Sequence, residues 1–460
     1  MDIKTLIKDI TEKDCVEFND LTDTWLAWYK GNVDKFHTYE DYNGIKKVEC
    51  ERKTLNMAKK VCEDWANLLL NEKTDIVAKD DKEQEALWKL LNFVKFWSKG
   101  NVGVEKTFAL GAGAFVESYD ENGKTRLQFV NRKKIRPITI DQDEITECAF
   151  INVNSETTVV QLHLKDENGN YFIRTLTYKK DIADKSEDIG KLITDETVET
   201  GSNIAWYQIL KPNIANNIDI NSPMGISIFA NAIDTLQGVD LAYDGFCEEM
   251  RIGKAKVFID KKLTSYDEKG EHVIFDVNQT GFYYTGNGDE AKQPLTIYNP
   301  ALRTESYFNG INNSLNLLSS KVGFGSNHYR FDSAGLSTAT QVISENSDMF
   351  RALKKHEILL QEVLINVCRA LMYISNEFTD EPYKFDLEGN LEVKFDDSII
   401  EDKEAQKMAD RQDVNMGIMS KVEYRMKWYN EDEETARAEI EKVKEESMSN
   451  YTNFFSTNDE

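Results

Sequence analysis

The residues best suited by type to do chemistry are four carboxylates close together near the C-terminus: Asp396, Asp397, Glu401 and Asp402. Carboxylate oxygens are the ligands that Mg²⁺ prefers, so the cluster could serve a metal-dependent enzyme acting on phosphoesters. Ordinary structural roles compete with that hypothesis. Asp397 closes a predicted strand, and Glu401 and Asp402 stand where acidic residues stabilise the start of a helix. We therefore expect no metal site and no cofactor.

Other catalytic patterns are missing from the sequence. It contains no GxxxxGK[ST] phosphate loop, no HExxH zinc motif and no GxSxG nucleophile motif. The 5 histidines are far apart in sequence, and the 6 cysteines have neither CxxC nor CxxH spacing, which suits free thiols. GAGAF at 111–115 lacks GxGxxG spacing and leads into a predicted strand, which argues against a nucleotide site. We expect no catalytic residues and no enzyme.

A short polar loop offers chemistry of another kind. Asn327, His328, Tyr329 and Arg330 lie within a glycine-flanked stretch, 323–335. Glycines allow such a loop to move relative to the stiff helices predicted on both sides. Arg330 can contact a phosphate without reading sequence, and its polar neighbours can add weaker contacts. The alternative is an ordered connection whose aromatic side chains pack on the core.

Length and composition narrow the class of protein. At 460 residues the chain should form two to four structural regions, and 40% hydrophobic with 30% charged residues describes a folded, soluble protein. The N-terminus has no apolar signal core, and we find no apolar run of about 18 residues, so we expect neither secretion nor a membrane span. The net charge of −25 weighs against ordinary nucleic-acid binding, which uses basic patches.

The longest predicted element is a helix over 338–378, which contains neither proline nor glycine. Thr338 can cap its start, with Gln341 completing a capping box. At 1.5 Å per residue it would run about 60 Å, long enough to cross a whole subunit. It is either a long core helix or a spine onto which other segments dock.

The first half of the chain changes its periodicity near residue 100. Residues 1–100 are predicted to be helical, with Gly100 ending the last helix. Residues 101–180 alternate with period two, which predicts an antiparallel meander whose hairpins turn at Asn122-Gly123 and Asn168-Gly169. Residues 181–222 are predicted to be an irregular surface connection with one short strand.

The second half predicts a stalk with a knob at its end. A helix capped by Ser222 and starting at Pro223 runs to about Gly253, a small β-rich insert follows, and a second helix returns over 301–322. Small residues on the first helix (Gly238, Ala242 and Gly245) allow a neighbouring helix to approach closely, although glycines can also merely bend a helix. We expect a β hairpin over 383–400 that returns to the earlier sheet, then acidic helices.

This order of parts resembles bacteriophage portal proteins, specifically the SPP1-like group from siphophages of Gram-positive bacteria. The resemblance covers nearly the whole chain. It rests on LNMAKKVCEDWANLLLNEK (55–73), SPMGISIFANAIDTLQGVDLAYDGFCEEMRIGK (222–254), LSTATQVISENSDMFRALKKHE (336–357) and DDSIIEDKEAQKMADRQDVNMGIMSKVEYRMKWY (396–429).

The resemblance implies an α+β, portal-type subunit that assembles into a ring. Its implied parts are a wing (1–222, helical then antiparallel β), a first stem helix (223–253), a small β clip (254–300), a second stem helix (301–322), a tunnel loop (323–337), a spine helix (338–378), β strands that return to the wing (379–399) and a helical crown (400–460).

The resemblance also implies a function and partners. Such proteins form a ring, typically of twelve subunits, at one capsid vertex of the virion, and are assembled in the host bacterial cytoplasm. The ring is the channel for DNA packaging, retention and ejection. It docks the terminase large subunit and a head–tail adaptor, beside major capsid and scaffold proteins. The ATPase would be the separate terminase, which fits the missing phosphate loop.

Two site predictions follow from this resemblance. Asn327, His328, Tyr329 and Arg330 would face double-stranded DNA in the channel without reading its sequence, and Gly238, Ala242 and Gly245 would pack between subunits. A ring of acidic subunits would repel phosphates, so that DNA slides without sticking. Two alternatives stay open: another head–tail or secretion ring component without a DNA channel, and a metal-dependent phosphoesterase.

Overall fold

The structure is a computed structural model that describes residues 3–16, 21–179, 190–260, 265–266, 272–273, 282–285, 295–331, 339–395, 403–429 and 431–455. The chain divides into two compact units. The first unit is Met1–Asp332 with Arg351–Phe395, and the second is Ser333–Phe350 with Asp396–Glu460.

The N-terminal region of the first unit mixes helices with short strands. It contains α1 (Ile3–Thr11), α2 (Thr22–Tyr29), β1 (Thr38–Tyr42), β2 (Lys47–Glu51), α3 (Met57–Leu69), β3 (Asp75–Ala78), α4 (Asp81–Phe93) and α5 (Phe96–Leu110). The prediction of an all-helical start is therefore wrong where β1 pairs with β2 and where β3 forms. These strands are only four or five residues long, too short to stand out from the helical pattern around them.

Gly100 does not end a helix, because α5 runs through it. A Cβ atom at Gly100 would lie 2.7 Å from Leu70 Cδ2, so this glycine permits close packing of α5 on the end of α3. The helix ends instead at Gly111, whose φ of +80° is the left-handed conformation typical of a helix C-terminus. GAGAF is thus a helix end followed by a strand, which agrees with the argument against a nucleotide site.

Two antiparallel sheets follow. Their strands are β4 (Gly113–Tyr119), β5 (Thr125–Asn131), β6 (Ile135–Asp141), β7 (Glu144–Val153), β8 (Thr157–Lys165), β9 (Tyr171–Lys179), β10 (Lys191–Glu199) and β11 (Tyr207–Leu210). The orders are β10-β9-β8-β7-β6 and β11-β4-β5. Both hairpin turns are confirmed, with Gly123 and Gly169 at φ +64° and +84°. The irregular connection predicted at 181–222 is wrong at β10, which pairs with β9 although nearly all its side chains are exposed.

The next helix, α6 (Ile233–Ile252), begins well after the predicted start at Pro223. Ser222 Oγ accepts a hydrogen bond from Met224 N at 3.2 Å, which closes a local turn rather than capping a helix. The segment before α6 is held by the end of α5, because Ile228 N donates to Phe108 O at 2.9 Å. A Cβ at Gly225 would lie 2.3 Å from Gly111 O, so only glycine permits this approach. Tertiary contacts thus override the local helix-start signal.

The predicted succession of helix, β insert and helix is confirmed for the described residues. The insert contains β12 (Lys256–Asp260), β13 (Ser265–Tyr266), β14 (His272–Val273), β15 (Phe282–Thr285) and β16 (Leu295–Tyr298). β12 pairs in parallel with β15 and antiparallel with β16, and β13 pairs with β14. The chain returns through α7 (Thr304–Lys321).

The long helix α8 (Ala339–Phe378) matches the predicted 338–378. Thr338 and the Gln341 side chain, proposed as its cap, lie outside the described residues. Contrary to expectation, Ser347–Phe378 is long and apolar enough to cross a membrane by length and composition alone. Its apolar side chains include Leu364 and Leu371, both fully buried within the first unit, as in a core helix.

Among the described residues after α8 there is one strand, β17 (Leu391–Lys394), and the first strand of the predicted hairpin does not form. β17 pairs antiparallel with β3, so it joins the N-terminal region instead of the meander. Residues 383–390 form no strand, and Gly389 N donates to Asp386 O at 3.2 Å to close a turn at their end.

The second unit contains the helices predicted for the C-terminus: α9 (Lys403–Met416), α10 (Lys421–Tyr429) and α11 (Glu433–Phe455). Trp428 Nε1 donates to Asp410 Oδ2 at 2.8 Å, and Lys427 Nζ lies 2.7 Å from the same oxygen, which ties α10 to α9. The carboxylates at 396, 397, 401 and 402 lie outside the described residues.

Candidate functional site

The helices α6 and α7 pack against each other within one chain. Arg303 makes a two-pronged ion pair with Glu249, at 3.1 Å from Nε and 2.7 Å from Nη2, and this hydrogen bonding lowers the pKa of Glu249. A Cβ at Gly245 would lie 2.8 Å from Tyr307 Cε1 on α7, whereas nothing lies within 4 Å of a Cβ at Gly238. Gly245 therefore already serves contact within the subunit, and Gly238 leaves open space beside α6. Ala242 is half-buried.

Burial falls sharply along this pair. We call residues 233–240 and 311–322 the root, and residues 241–252 and 304–310 the far half. The root contains fully or nearly fully covered apolar side chains: Leu236, Val239, Leu315 and Leu318. Within 241–252 and 304–310 no residue is buried. Leu241 is 49% exposed, Met250 37%, Ile252 47% and Phe308 42%.

The root of α6 is fixed by a buried carboxylate. Asp240 accepts hydrogen bonds from Thr54 Oγ1 and Leu55 N, both at 2.9 Å, and His37 Nε2 lies 3.1 Å away. Val33 N donates to His37 Nδ1 at 2.8 Å, which assigns the ring proton to Nε2, facing Asp240. One turn on, Asp244 Oδ1 accepts from Lys53 N at 3.0 Å. The two carboxylates anchor α6 on the segment before α3.

The segment after α7 docks on an aromatic cluster. Phe324 stacks on Trp65 of α3 at 4.6 Å between ring centroids, and Trp65 Nε1 donates to Val322 O at 3.0 Å. His356 of α8 meets Trp65 edge-on at 4.9 Å, and burial lowers the pKa of His356 to about 3. The imidazole is therefore neutral at pH 7 and behaves as part of the apolar cluster.

The four predicted loop residues lie together beside this cluster. His328 stacks on Phe324 with centroids 4.3 Å apart, and Asn327 takes a left-handed φ of +73°. Tyr329 OH donates to Asp64 Oδ2 at 2.9 Å, and burial, then Asp64, raises the pKa of Tyr329. Arg330 is exposed. The described part of the loop is thus the ordered connection foreseen as an alternative, although Phe331 is 61% exposed. Residues 332–337 lie outside the described residues.

The family comparison decides the identity of the chain. Residues 18–450 match the model of a family described as phage portal protein, SPP1 Gp6-like. The chain belongs to this family. It is a phage portal protein, and the family is structural rather than enzymatic.

Among curated proteins no match is found. Among solved structures, the portal protein is similar to a chain from the "Neck of native GTA particle computed with C12 symmetry", at 10% identity. That likeness covers 80% of this chain and 88% of the other, with a TM-score of 0.37.

Among the residues that the structure describes, no group of three or more His, Cys, Asp or Glu side chains could hold a metal ion. All the cysteines are free: Cys15, Cys50, Cys62, Cys148, Cys247 and Cys368.

Sequence reasoning missed the residues that fix the site in place, chiefly Asp240, His37 and Trp65. One signal was available for Asp240. It follows directly on Val239 in the stripe that α6 buries at its root, where a charged residue requires partners. The partners themselves come from residues far away in sequence, so no local pattern identifies them.

Proposed function

We propose that this portal protein closes into a ring, typically of twelve subunits, at one capsid vertex of a siphophage with a Gram-positive host. In this proposal α6 and α7 form the stem, and 254–300 the clip. The wing comprises 1–222 with β17, α8 is the spine, and 400–460 is the crown. The ring would be assembled in the host cytoplasm.

The observation that carries the proposal is the exposed far half of the helix pair. Leu241, Ile252 and Phe308 stand 42–49% exposed on helices whose root buries Leu236, Val239, Leu315 and Leu318, although Leu317 in the root is 63% exposed. Single exposed apolar residues are ordinary, but several on one helix pair indicate a surface that a partner covers. Neighbouring copies of the same helices would cover it in a closed ring. The open space beside Gly238 would admit such a neighbour.

The channel would let double-stranded DNA pass without reading its sequence. The net charge of −25 per subunit would keep phosphates from sticking to the wall. Arg330 would supply an occasional phosphate contact from the loop at 323–337, beside Asn327, His328 and Tyr329. The contacts of Phe324 with Trp65 and of Tyr329 with Asp64 support this proposal, because they hold the start of the loop next to Arg330 on α3.

The partners would do the chemistry. The terminase large subunit would supply ATP hydrolysis, and the head–tail adaptor would replace it at the clip after packaging. Major capsid and scaffold proteins would surround the wing. The portal protein itself would need no cofactor, no membrane and no catalytic residue.

Mass photometry of the purified chain, followed by complementation of a portal-deficient phage, tests this function. We expect one closed oligomer and restored production of DNA-filled capsids. A chain that stays monomeric at all concentrations, or that hydrolyses phosphoesters with Mg²⁺, would contradict the proposal.

A further inference from the structure

The hairpin of β1 and β2 forms an arm (residues 38–51) that is exposed along both strands. Its turn leaves Ile45 86% exposed and Tyr42 63% exposed. The turn is ordered by its own contacts, because Asn43 Oδ1 accepts from the N–H groups of Ile45 and Lys46, each at 3.0 Å. A two-stranded hairpin is marginal in water by itself, and this one covers neither apolar side chain at its end.

The base of the arm is held firmly. The Arg52 guanidinium lies over the rings of Phe36 and Tyr39, at 4.4 and 4.6 Å from their centroids. Arg52 N also donates to His37 O at 2.7 Å. The arm therefore leaves the subunit in a fixed direction and presents its turn as a preformed contact.

The charges along the arm point to a cationic partner. Glu40 and Glu49 stand directly opposite each other, on the same face as Tyr42. Like charges directly opposite on paired strands destabilise a hairpin. Lys47 of the arm lies 2.8 Å from Glu40 and offsets part of this repulsion, while Glu49 lies on the same face. Cations from outside the arm would relieve this repulsion.

The same unit carries a groove of about 520 Å³ with the matching chemistry. Leu90 and Phe93 of α4 and Phe385 line its apolar floor, and Phe93 is 52% exposed. The groove is also lined by lysines: Lys82, Lys89 and Lys124.

The charge of the groove is positive in an otherwise acidic chain. Its two acidic residues are Glu85 and Glu381. Glu85 is engaged by Lys89 at 2.6 Å, and that hydrogen bond lowers the pKa of Glu85. Lys124 Nζ lies 5.7 Å from the centroid of the Phe93 ring, beside the apolar floor. The lysines outnumber the acids around a hydrophobic slot.

We propose that the arm of one subunit docks in the groove of a second copy of the chain. Tyr42 and Ile45 would enter against Phe93, and Glu40 and Glu49 would meet the lysines. Because arm and groove are different surfaces of one chain, the contact is head-to-tail, as a ring requires. The inference rests on the ring proposed above and adds an interface separate from the stem helices.

Cysteine cross-linking of the full chain tests the contact. Ile45→Cys combined with Phe93→Cys should, on mild oxidation, give a ladder of covalent oligomers on a non-reducing gel. The matched control is Ile45→Cys with Trp88→Cys. Trp88 is 55% exposed on α4 but does not line the groove. The wild-type chain sets the background from its own cysteines.

We expect the Phe93 pair to give several-fold more ladder than the Trp88 pair. Rings by mass photometry with no such excess, or with only an intrachain cross-link, would overturn the arm contact and leave the ring standing. Equal ladders from both pairs would also overturn it, because the contact would then be unspecific. A chain that never leaves the monomer would contradict the ring and the arm contact together.

Discussion

The root and the far half of the α6–α7 pair differ in what covers them. At the root, Leu236 and Leu315 are 2% and 0% exposed, and Asp240 is fully engaged by the segment before α3. In the far half, Leu241 and Phe308 are 49% and 42% exposed. The same two helices thus finish a core at one end and leave it unfinished at the other. We therefore expect neighbouring subunits to cover the far half, and the core of the subunit to support the buried side chains of the root.

The largest loss of stability should come from Trp65→Ala, because Trp65 of α3 holds the end of the root through Val322. Trp65 is completely buried beside Phe324 and His356, so its removal should cost about 3–5 kcal/mol of unfolding free energy. Trp88→Ala is the control, because Trp88 is 55% exposed and should change stability by no more than about 0.5 kcal/mol. Denaturant unfolding followed by circular dichroism measures both. Equal losses of unfolding free energy in the two variants would contradict the role of Trp65 in the core.

Loss of the hydrogen-bonded Asp240 carboxylate at the root should cost slightly less unfolding free energy than Trp65→Ala. In Asp240→Asn one acceptor oxygen becomes a donor that faces N–H and O–H groups, and losing charged hydrogen bonds costs about 1.5–3 kcal/mol. Asp234→Asn, in the exposed first turn of the same helix, should cost less than about 1 kcal/mol. If both variants unfold at the same denaturant concentration, the carboxylate does not anchor α6.

Leucine substitutions at two glycines separate contacts within a subunit from contacts between subunits. Gly245→Leu would collide with Tyr307 and should cost about 1–3 kcal/mol in the isolated subunit. Gly238→Leu meets open space, so it should leave the subunit's stability unchanged and lower the fraction of closed rings in mass photometry. Unchanged rings in Gly238→Leu would refute the packing between subunits at Gly238, and unchanged subunit stability in Gly245→Leu would refute the contact with Tyr307.

A pH dependence should come from the core and not from the far half. Burial lowers the pKa of His163 to about 3, between Phe150 and Tyr207. This group's contribution is fully present above its ordinary pKa of 6.5 and is lost as pH falls towards 3, because only the unfolded chain binds the proton. The loss is about 1.4 kcal/mol per pH unit. His163→Phe should flatten the fall in stability measured between pH 6.5 and 5. An unchanged slope would contradict this assignment.

The smallest effect on the subunit should come from the loop. Arg330→Ala alters one exposed side chain, so rings should form with normal stability. Packaging or retention of DNA should nevertheless fall, as counted by DNA-filled capsids after complementation of a portal-deficient phage. A ring shortened between Gly325 and Gly335 provides the stronger variant. Normal filling by that ring would make the segment a connector only.

Local signals in the sequence predicted the elements that depend on local chemistry. The Asn-Gly turns of the two hairpins and the uninterrupted stripe of α8 were found because turn type and helical period are written in neighbouring residues. The start of α6 was missed because Gly225 and Ile228 are held by Gly111 and Phe108, more than a hundred residues away in sequence. Gly100 was misinterpreted for the same reason, since its role is contact with Leu70.

The candidate site divides in the same way. A glycine-flanked polar loop was visible in the sequence, but its docking on Trp65 and Asp64 was not. The stem glycines were visible too. Only the three-dimensional contacts distinguish Gly245, which faces Tyr307, from Gly238, which faces open space.

Cryo-electron microscopy of the purified full-length chain tests the central claim most directly. The account predicts a closed ring with a central channel, in which neighbouring subunits cover Leu241 and Phe308. A monomer, or a ring in which those two side chains stay exposed to solvent, would contradict it.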